Sequence, residues 1–372
     1  MSKKTLHIIS LDIPYPPDRG SVIGIFNRIK AFHKAGVDVI LHAFYKNFSL
    51  PKELADYCKS VYLIPREKIW NIVNTGWPLY IQSRRSDGLV ANLLKDDYPI
   101  LFEGLHTLFH FDDPRLATRN KWVRMHNIES KYYAHLTAIH NNPFKKMYYK
   151  FESAKSDQIE RSVLPKANMV FAISEKENAY LKSIEVKSIC TLPFIENTVE
   201  ITSGIGEYAL YHGDLSILEN EKAVLFLIET VFDDIPYPLF IAGKNPGKLL
   251  ISKIRNNSNI KLFPSPEVEN MKELIKHAQI ILAPFSQTTG YKMKLLESIR
   301  MGRHIVASIN CAEYTEISPL LHLANDPQEW KKWISILSSS PLNEDAIINR
   351  EKKLLENFNP DQNIQQLISH IF

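Results

Sequence analysis

Apolar residues in the first half of the chain fall into short unbroken runs, separated by stretches where they recur every three or four positions. Residues 6–11 form such a run and read as a buried strand, followed by a turn rich in proline through Pro14, Pro16, Pro17 and Gly20. Val22, Ile25, Phe26, Ile29 and Phe32 then repeat at helical spacing, with Asn27, Arg28, Lys30 and Lys34 on the other face. Ser21 fits an N-cap and Gly36 a stop. Residues 37–44 are the next apolar run, so 5–44 predict a strand, a crossover helix and a parallel strand. Further strands are expected at 61–64, 100–102, 122–125 and 169–173. The last leads into Ser174-Glu175-Lys176-Glu177, which has the spacing of a capping box.

The pattern breaks at 196–206, a polar stretch with Gly204 and Gly206 that reads as a linker. A second series follows, with strands expected at 208–211, 239–242, 260–263, 280–283 and 305–307. Helical patterns lie between them at 218–231, 266–277 and 292–301. Strands that alternate with helices build a mostly parallel sheet covered on both faces. The expected fold class is therefore α/β, with two Rossmann-like parallel-sheet domains facing each other across a cleft. The division expected is 1–200, 201–355, and a short amphipathic helix within 356–372.

Composition narrows the classes. The 372 residues suit two domains, and 45% hydrophobic with 23% charged residues is ordinary globular usage. Forty-five basic against 41 acidic residues leave a formal +4, too small a surplus to imply nucleic acid, yet enough for one local patch facing phosphate or anionic lipid. Cys58, Cys190 and Cys311 lie far apart without metal-like pairing, which points to reduced thiols rather than disulfides or zinc. The start MSKKTLHIIS enters a strand directly and lacks the apolar core of a signal peptide. No run approaches the roughly 20 apolar residues that span a bilayer. The expectation is a cytoplasmic protein, either free or attached to the cytoplasmic face of a membrane.

In doubly wound sheets ligands gather beyond the carboxyl ends of the strands, where helix N-termini point. Three strand-to-helix turns carry suitable residues. In the first, residues 16–21, Gly20 permits close backbone approach, and the following helix offers N–H groups to an anion, although the three-glycine spacing of dinucleotide binders is absent. In the second, Gly290, Lys294 and Glu297 fall at i, i+4 and i+7 on one helical stripe, with Lys292 beside it. Two lysines at a helix N-terminus suit a diphosphate, and a carboxylate further along suits ribose hydroxyls. In the third, Arg124, His126, Asn127 and Glu129 crowd a strand terminus where only a turn is needed. A plain turn, a surface ion pair and a solvated loop are the respective structural alternatives.

With these residues in view, the chain resembles GT-B glycosyltransferases of family 4, the glycosyl transferases group 1 superfamily, over nearly its full length. The resemblance rests on residues 16–21, VRMHNIESKYY at 123–133, YHGDLS at 211–216, IAGK at 241–244 and TGYKMKLLESIRMGRHIVAS at 289–308. It implies that the donor lies mainly on the C-terminal domain and the acceptor on the N-terminal one. Gly290, Lys292 and Lys294 would hold the donor diphosphate and Glu297 the ribose. His126 would sit beside the donor sugar, Gly20 would approach the phosphates, Gly213 would line the cleft, and Lys244 would be a further phosphate contact. The loop 264–266 would cradle the base. His126, Lys294 and Glu297 form the implied catalytic set, with Arg124, Asn127 and Glu129 on the acceptor side; Glu103, just after the strand at 100–102, points at the cleft by topology and is a further acceptor-side candidate. The helix at 361–372 would return to cover the first domain. Two positions depart from the family: Thr289 stands where many members carry a first glutamate, and 214–222 replaces an Arg and Lys near the second domain's first turn.

The implied reaction moves a sugar from a UDP- or GDP-linked donor to a hydroxyl of a glycan or polyprenyl-linked saccharide, with retention. It needs no metal or other cofactor, since lysines and a helix N-terminus replace the cation; domain closure would exclude water. The pattern looks like a bacterial subgroup that builds surface polysaccharides. A sugar-nucleotide epimerase and a catalytically silent nucleotide-sugar sensor or scaffold are the rival readings. His106 and His110 have the spacing of a helical metal pair but lack a firm third ligand. Residues 69–80, with Trp70 and Trp77 flanked by Arg66, Lys68, Arg84 and Arg85, read equally as a peripheral contact with the inner membrane or as core packing. Lys145, Lys146 and Lys150 with Tyr148 and Tyr149 raise the same question.

Overall fold

The computed structural model describes residues 3–17, 20–47, 52–68, 76–195, 199–255, 257–286 and 289–372. The chain forms two compact units. The first comprises Met1–Glu196, Thr289–Tyr291 and Phe358–Phe372, the second Asn197–Thr288 and Lys292–Asn357.

The first unit runs β1 (Thr5–Ser10), α1 (Gly20–Lys34), β2 (Asp38–Tyr45), β3 (Ser60–Pro65), α2 (Leu79–Gln82), α3 (Asp87–Leu93), β4 (Ile100–Glu103) and β5 (Lys121–Arg124). It continues with α4 (Glu129–Ile139), α5 (Pro143–Ser162), β6 (Met169–Ala172), α6 (Glu175–Ser183) and β7 (Ser188–Cys190). The second runs β8 (Ala209–His212), α7 (Leu218–Phe226), β9 (Leu239–Gly243), α8 (Lys248–Arg255), β10 (Ile260–Pro264), α9 (Val268–His277) and β11 (Ile280–Ala283). After α10 (Met293–Met301) come β12 (His304–Ser308), β13 (His322–Ala324), α11 (Pro327–Leu337) and α12 (Glu344–Phe358). The last helix, α13 (Pro360–Ile371), packs in the first unit.

Both sheets are parallel throughout, ordered β3-β2-β1-β4-β5-β6-β7 and β10-β9-β8-β11-β12-β13. The order reverses between β1 and β4 in one and between β8 and β11 in the other, which are the places where such sheets bind ligands. The inner strands are buried on both faces, which is why they read as unbroken apolar runs rather than alternating ones. The three-residue edge strands β7 and β13 lack that signature and escape the sequence reading.

In α1, Val22, Ile25, Phe26, Ile29 and Phe32 are buried as their spacing predicts, but so is Arg28. The expectation of an outward-facing Arg28 is therefore corrected. Ile364, Leu367, Ile368 and Ile371 of α13 join the α1 side chains in one cluster with β1 and β2. Residues 199–206 do not hang as a free linker. Gly204 exchanges backbone hydrogen bonds with Leu342, Gly206 N–H donates to Gln279, and Glu200 pairs with Arg300 and Lys276.

Among the described residues no helix is long and apolar enough to cross a membrane. His106 and His110 lie in a short 3-10 helix, Leu105–His110, where α-helical i, i+4 alignment does not apply. His106 packs on Tyr80, and His110 Nε2 accepts from the Ser86 N–H. Trp77 is half-buried against the core and Phe109, whereas Trp70 lies outside the described residues.

Candidate functional site

In the second unit the chain leaves β8 through His212 and Gly213, next to β9. The Gly213 N–H donates to Ala242, Leu215 N–H to Lys244, and Ser265 N–H to Gly243. These bonds draw three strand ends together so closely that a Cβ on Gly243 would stand 1.8 Å from the Gly213 carbonyl oxygen. No rotamer relieves a backbone clash of that size. Gly243→Ala is thus expected to cost roughly 2–3 kcal/mol of stability by overpacking. Thermal unfolding followed by circular dichroism reads this as a drop of several degrees, and an unchanged midpoint would show that the turn yields.

Lys294 lies in the first turn of α10, with Lys292 at the N-cap position. The Lys294 ammonium donates to Asn220 Oδ1 at 2.9 Å and Tyr211 Oη at 3.3 Å. It also stands 4.9 Å from the ring centres of both Tyr211 and Phe285. Burial first, and the Lys292 charge second, press its pKa down to about 7, with Glu219 pulling the other way. A Cβ on Gly213 would meet Lys294 Nζ at 3.1 Å, so glycine there leaves room in front of the ammonium. The result is a cluster of two lysines at the N-terminus of a helix, at the switch point of the sheet, an arrangement whose charge and helix dipole attract anions. Glu297 lies half-buried one turn beyond Lys294 on the same stripe.

Other expected donor residues are placed differently. Gly290 precedes α10, so the helical stripe holds for Lys294 and Glu297 only. Its φ of +68° is one that glycine adopts freely, and it packs in the first unit. Its N–H donates to Glu177 Oε1 at 2.6 Å, and a Cβ would come within 2.7 Å of the His126 carbonyl oxygen. That N–H is therefore engaged by a carboxylate. Glu177 itself was expected to reach back in a capping box. Ser174 Oγ does accept from Glu177 N–H, but the Glu177 side chain serves Gly290. Lys244 is half-buried beyond β9, and Gly20 opens α1 at an exposed position.

In the first unit His126 follows β5, beside the end of β4. Glu103 is wholly buried and takes both Arg28 Nε (2.8 Å) and Nη2 (2.6 Å) in a two-pronged pair, while His126 Nε2 sits 2.8 Å from its second oxygen. Burial by itself would raise the Glu103 pKa. The Arg28 charge and the His126 and Arg28 hydrogen bonds overcome that and hold it near about 2. His126 is pushed below the usual histidine range, chiefly by burial and against the pull of Glu103. A neutral imidazole facing a carboxylate places its proton on Nε2, leaving Nδ1 as an acceptor.

This geometry corrects the acceptor-side assignment of Glu103: its carboxylate is enclosed and positions His126 instead. Arg124 is also buried, donating to the Ala172 carbonyl at 2.7 Å. Glu129 is buried near His106 (3.8 Å). Its pKa is raised to about 8 by burial, then by Glu160 and Glu177, against Arg84. Asn127 is half-buried, and among the described residues its Oδ1 has no hydrogen-bond partner. Sequence reasoning missed Arg28, Asn220 and Phe285, and read Tyr211 only as the start of the YHGDLS motif. Of the missed residues, only Arg28 left a trace, as a long cation interrupting an otherwise apolar helix surface.

Two parallel Rossmann-like units, with a cationic helix start at the second unit's switch point, are the architecture of GT-B glycosyltransferases. The family model of the glycosyl transferases group 1 matches residues 206–339, so the second unit carries the domain of that family. A relative from Klebsiella pneumoniae, an uncharacterised 44.6 kDa protein in the cps region, is 26% identical over 349 residues, spanning 88% of this chain and 89% of the relative. Sucrose-phosphate synthase from Thermosynechococcus elongatus superposes with a TM-score of 0.74 at 15% identity, covering 99% of this chain and 98% of its own. HepE of Anabaena, solved with UDP-glucose, gives 0.67 at 11%, covering 98% and 99%. At these identities the structural likeness establishes the fold.

Proposed function

We propose that this glycosyltransferase moves a sugar from a nucleoside-diphosphate donor to a hydroxyl of a glycan or polyprenyl-linked saccharide, with retention and without a metal, in surface polysaccharide synthesis. The observation that carries the reading is the Lys294 nest. An ammonium held in a half-apolar pocket beside a second lysine and a helix N-terminus gains most from a doubly charged diphosphate. As the bond to the sugar breaks, negative charge grows on the departing diphosphate, and Lys292, Lys294 and the N-terminal amides of α10 stabilise it where it develops. Glu297 accepts from ribose hydroxyls. On the acceptor-side unit, His126 Nδ1 accepts a hydrogen bond from a sugar hydroxyl, while Glu103 and Arg28 fix the ring and its tautomer. No covalent nucleophile is assigned. The donor is UDP- or GDP-linked, in keeping with the UDP-glucose bound by HepE. The cps-region relative supports the polysaccharide setting.

Purified protein incubated with a panel of UDP- and GDP-sugars, with and without a saccharide acceptor, tests the reading. Nucleotide release that rises with acceptor and survives a metal chelator is the expected result. Interconversion of sugars would make the chain an epimerase, and binding without turnover would make it a sensor.

A further inference from the structure

The first half of α5 carries a surface that the fold leaves uncovered. Asn142 caps the helix by accepting from the Phe144 and Lys145 N–H groups, and Pro143 opens it. From Glu152 onward the helix is anchored: Glu152 accepts from Leu79 N–H, Ser156 pairs with Tyr80, and Glu160 holds Ser130. Before that point Tyr149 packs on Tyr133 and His140, and the side of the helix away from them stays open. Phe144 is 77% exposed, Met147 56%, Tyr148 38% and Phe151 59%. Their positions, i, i+3, i+4 and i+7, place them on one stripe of about 100°. Lys145 and Lys150 border that stripe on either side, with Lys146 behind, and all three are exposed. From Ser130 to Phe151 the chain has no Asp or Glu.

An apolar stripe costs solubility unless something covers it. The flanking charge says what does. A protein partner with an apolar groove requires no row of lysines and no acid-free neighbourhood, whereas a bilayer with anionic headgroups matches both features. The aromatic and Met side chains enter the acyl boundary while the lysines remain among the headgroups. We propose that the α5 segment from Phe144 to Phe151 docks the protein on an anionic lipid surface. Trp77, the other aromatic raised by the sequence, is engaged by the core and is not part of this face.

Vesicle co-sedimentation tests the proposal without any sugar donor, so its failure leaves the transferase reading intact. The full chain is mixed with phosphatidylcholine vesicles with or without one third phosphatidylglycerol. Binding to the anionic vesicles only, weakened by salt, is expected. Each lysine near such a surface is worth roughly fivefold in partitioning, so Lys145→Glu with Lys146→Glu and Lys150→Glu should lower binding by at least about 100-fold. Phe144→Ser with Phe151→Ser should also abolish it. Both variants change exposed positions only, and an unchanged melting curve confirms that they fold. Three results would overturn the proposal: wild-type protein left in the supernatant, variants that bind as wild type does, or self-association in sedimentation velocity that the Phe substitutions remove.

Discussion

Lys294→Ala is expected to raise the donor dissociation constant about 10- to 100-fold and to lower kcat by ~10²–10³, because the interaction lost is charge-assisted and strengthens as the leaving group departs. The same substitution should leave the melting temperature unchanged or raise it. Lys294 is held at a pKa of about 7 by burial and by Lys292, so the fold tolerates its charge rather than drawing stability from it. The sign follows by linkage. Between about pH 7 and its ordinary value near 10.5 the unfolded chain binds the proton more readily than the folded one, so wild-type stability gains with pH across that window. The alanine variant should lose that slope. Donor affinity should run the opposite way, falling as pH rises past 7 and the ammonium deprotonates. Calorimetric titration of an intact nucleotide sugar from pH 6 to 9, beside thermal melts, reads both. Equal affinity in the two proteins would remove the diphosphate from this nest.

Glu103→Gln should be the most damaging change to stability in the first unit. It removes the only carboxylate hydrogen-bonded to the Arg28 guanidinium among the described residues, leaving a buried cation without its counter-charge. Losses of roughly 3–5 kcal/mol follow from breaking such a pair. Because the folded pKa of Glu103 is depressed, its contribution is complete above about pH 4.5 and is lost as pH falls toward about 2. Wild-type protein should therefore lose stability through that acidic window more steeply than the variant. Turnover should fall further than unfolding alone explains, since His126 loses the group that fixes its tautomer. A variant melting within 1 kcal/mol of wild type at pH 7 would mean that Arg28 finds another partner.

The fold was legible because parallel strands buried on both faces leave an apolar signature that no solvent-facing element shares. What could not be read follows the same physics. β7 and β13 are short and partly exposed, so their pattern is weak. The helix period at 290–297 continues across the N-cap, and counting alone places Gly290 inside a helix that starts three residues later. Arg28 was assigned outward because a helical wheel assumes one covered face, whereas Glu103, 75 residues away, awaits it on the other. Lys294, Lys292 and Glu297 were visible as a local run. Tyr211, Asn220 and Phe285, which surround the Lys294 ammonium, come from β8, α7 and the segment after β11, and only the strand order β8-β11 brings them together.

The placement of α13 sets an order on synthesis. The α1 face that Ile364, Leu367, Ile368 and Ile371 cover belongs to the portion translated first, yet its cover is made after the entire second unit. At ~5–20 residues per second a ribosome leaves that face bare for on the order of 20–70 s. Nascent chains should consequently recruit chaperones at α1 until translation passes residue 371, and a stop codon before 360 should yield aggregates rather than a shortened, working enzyme.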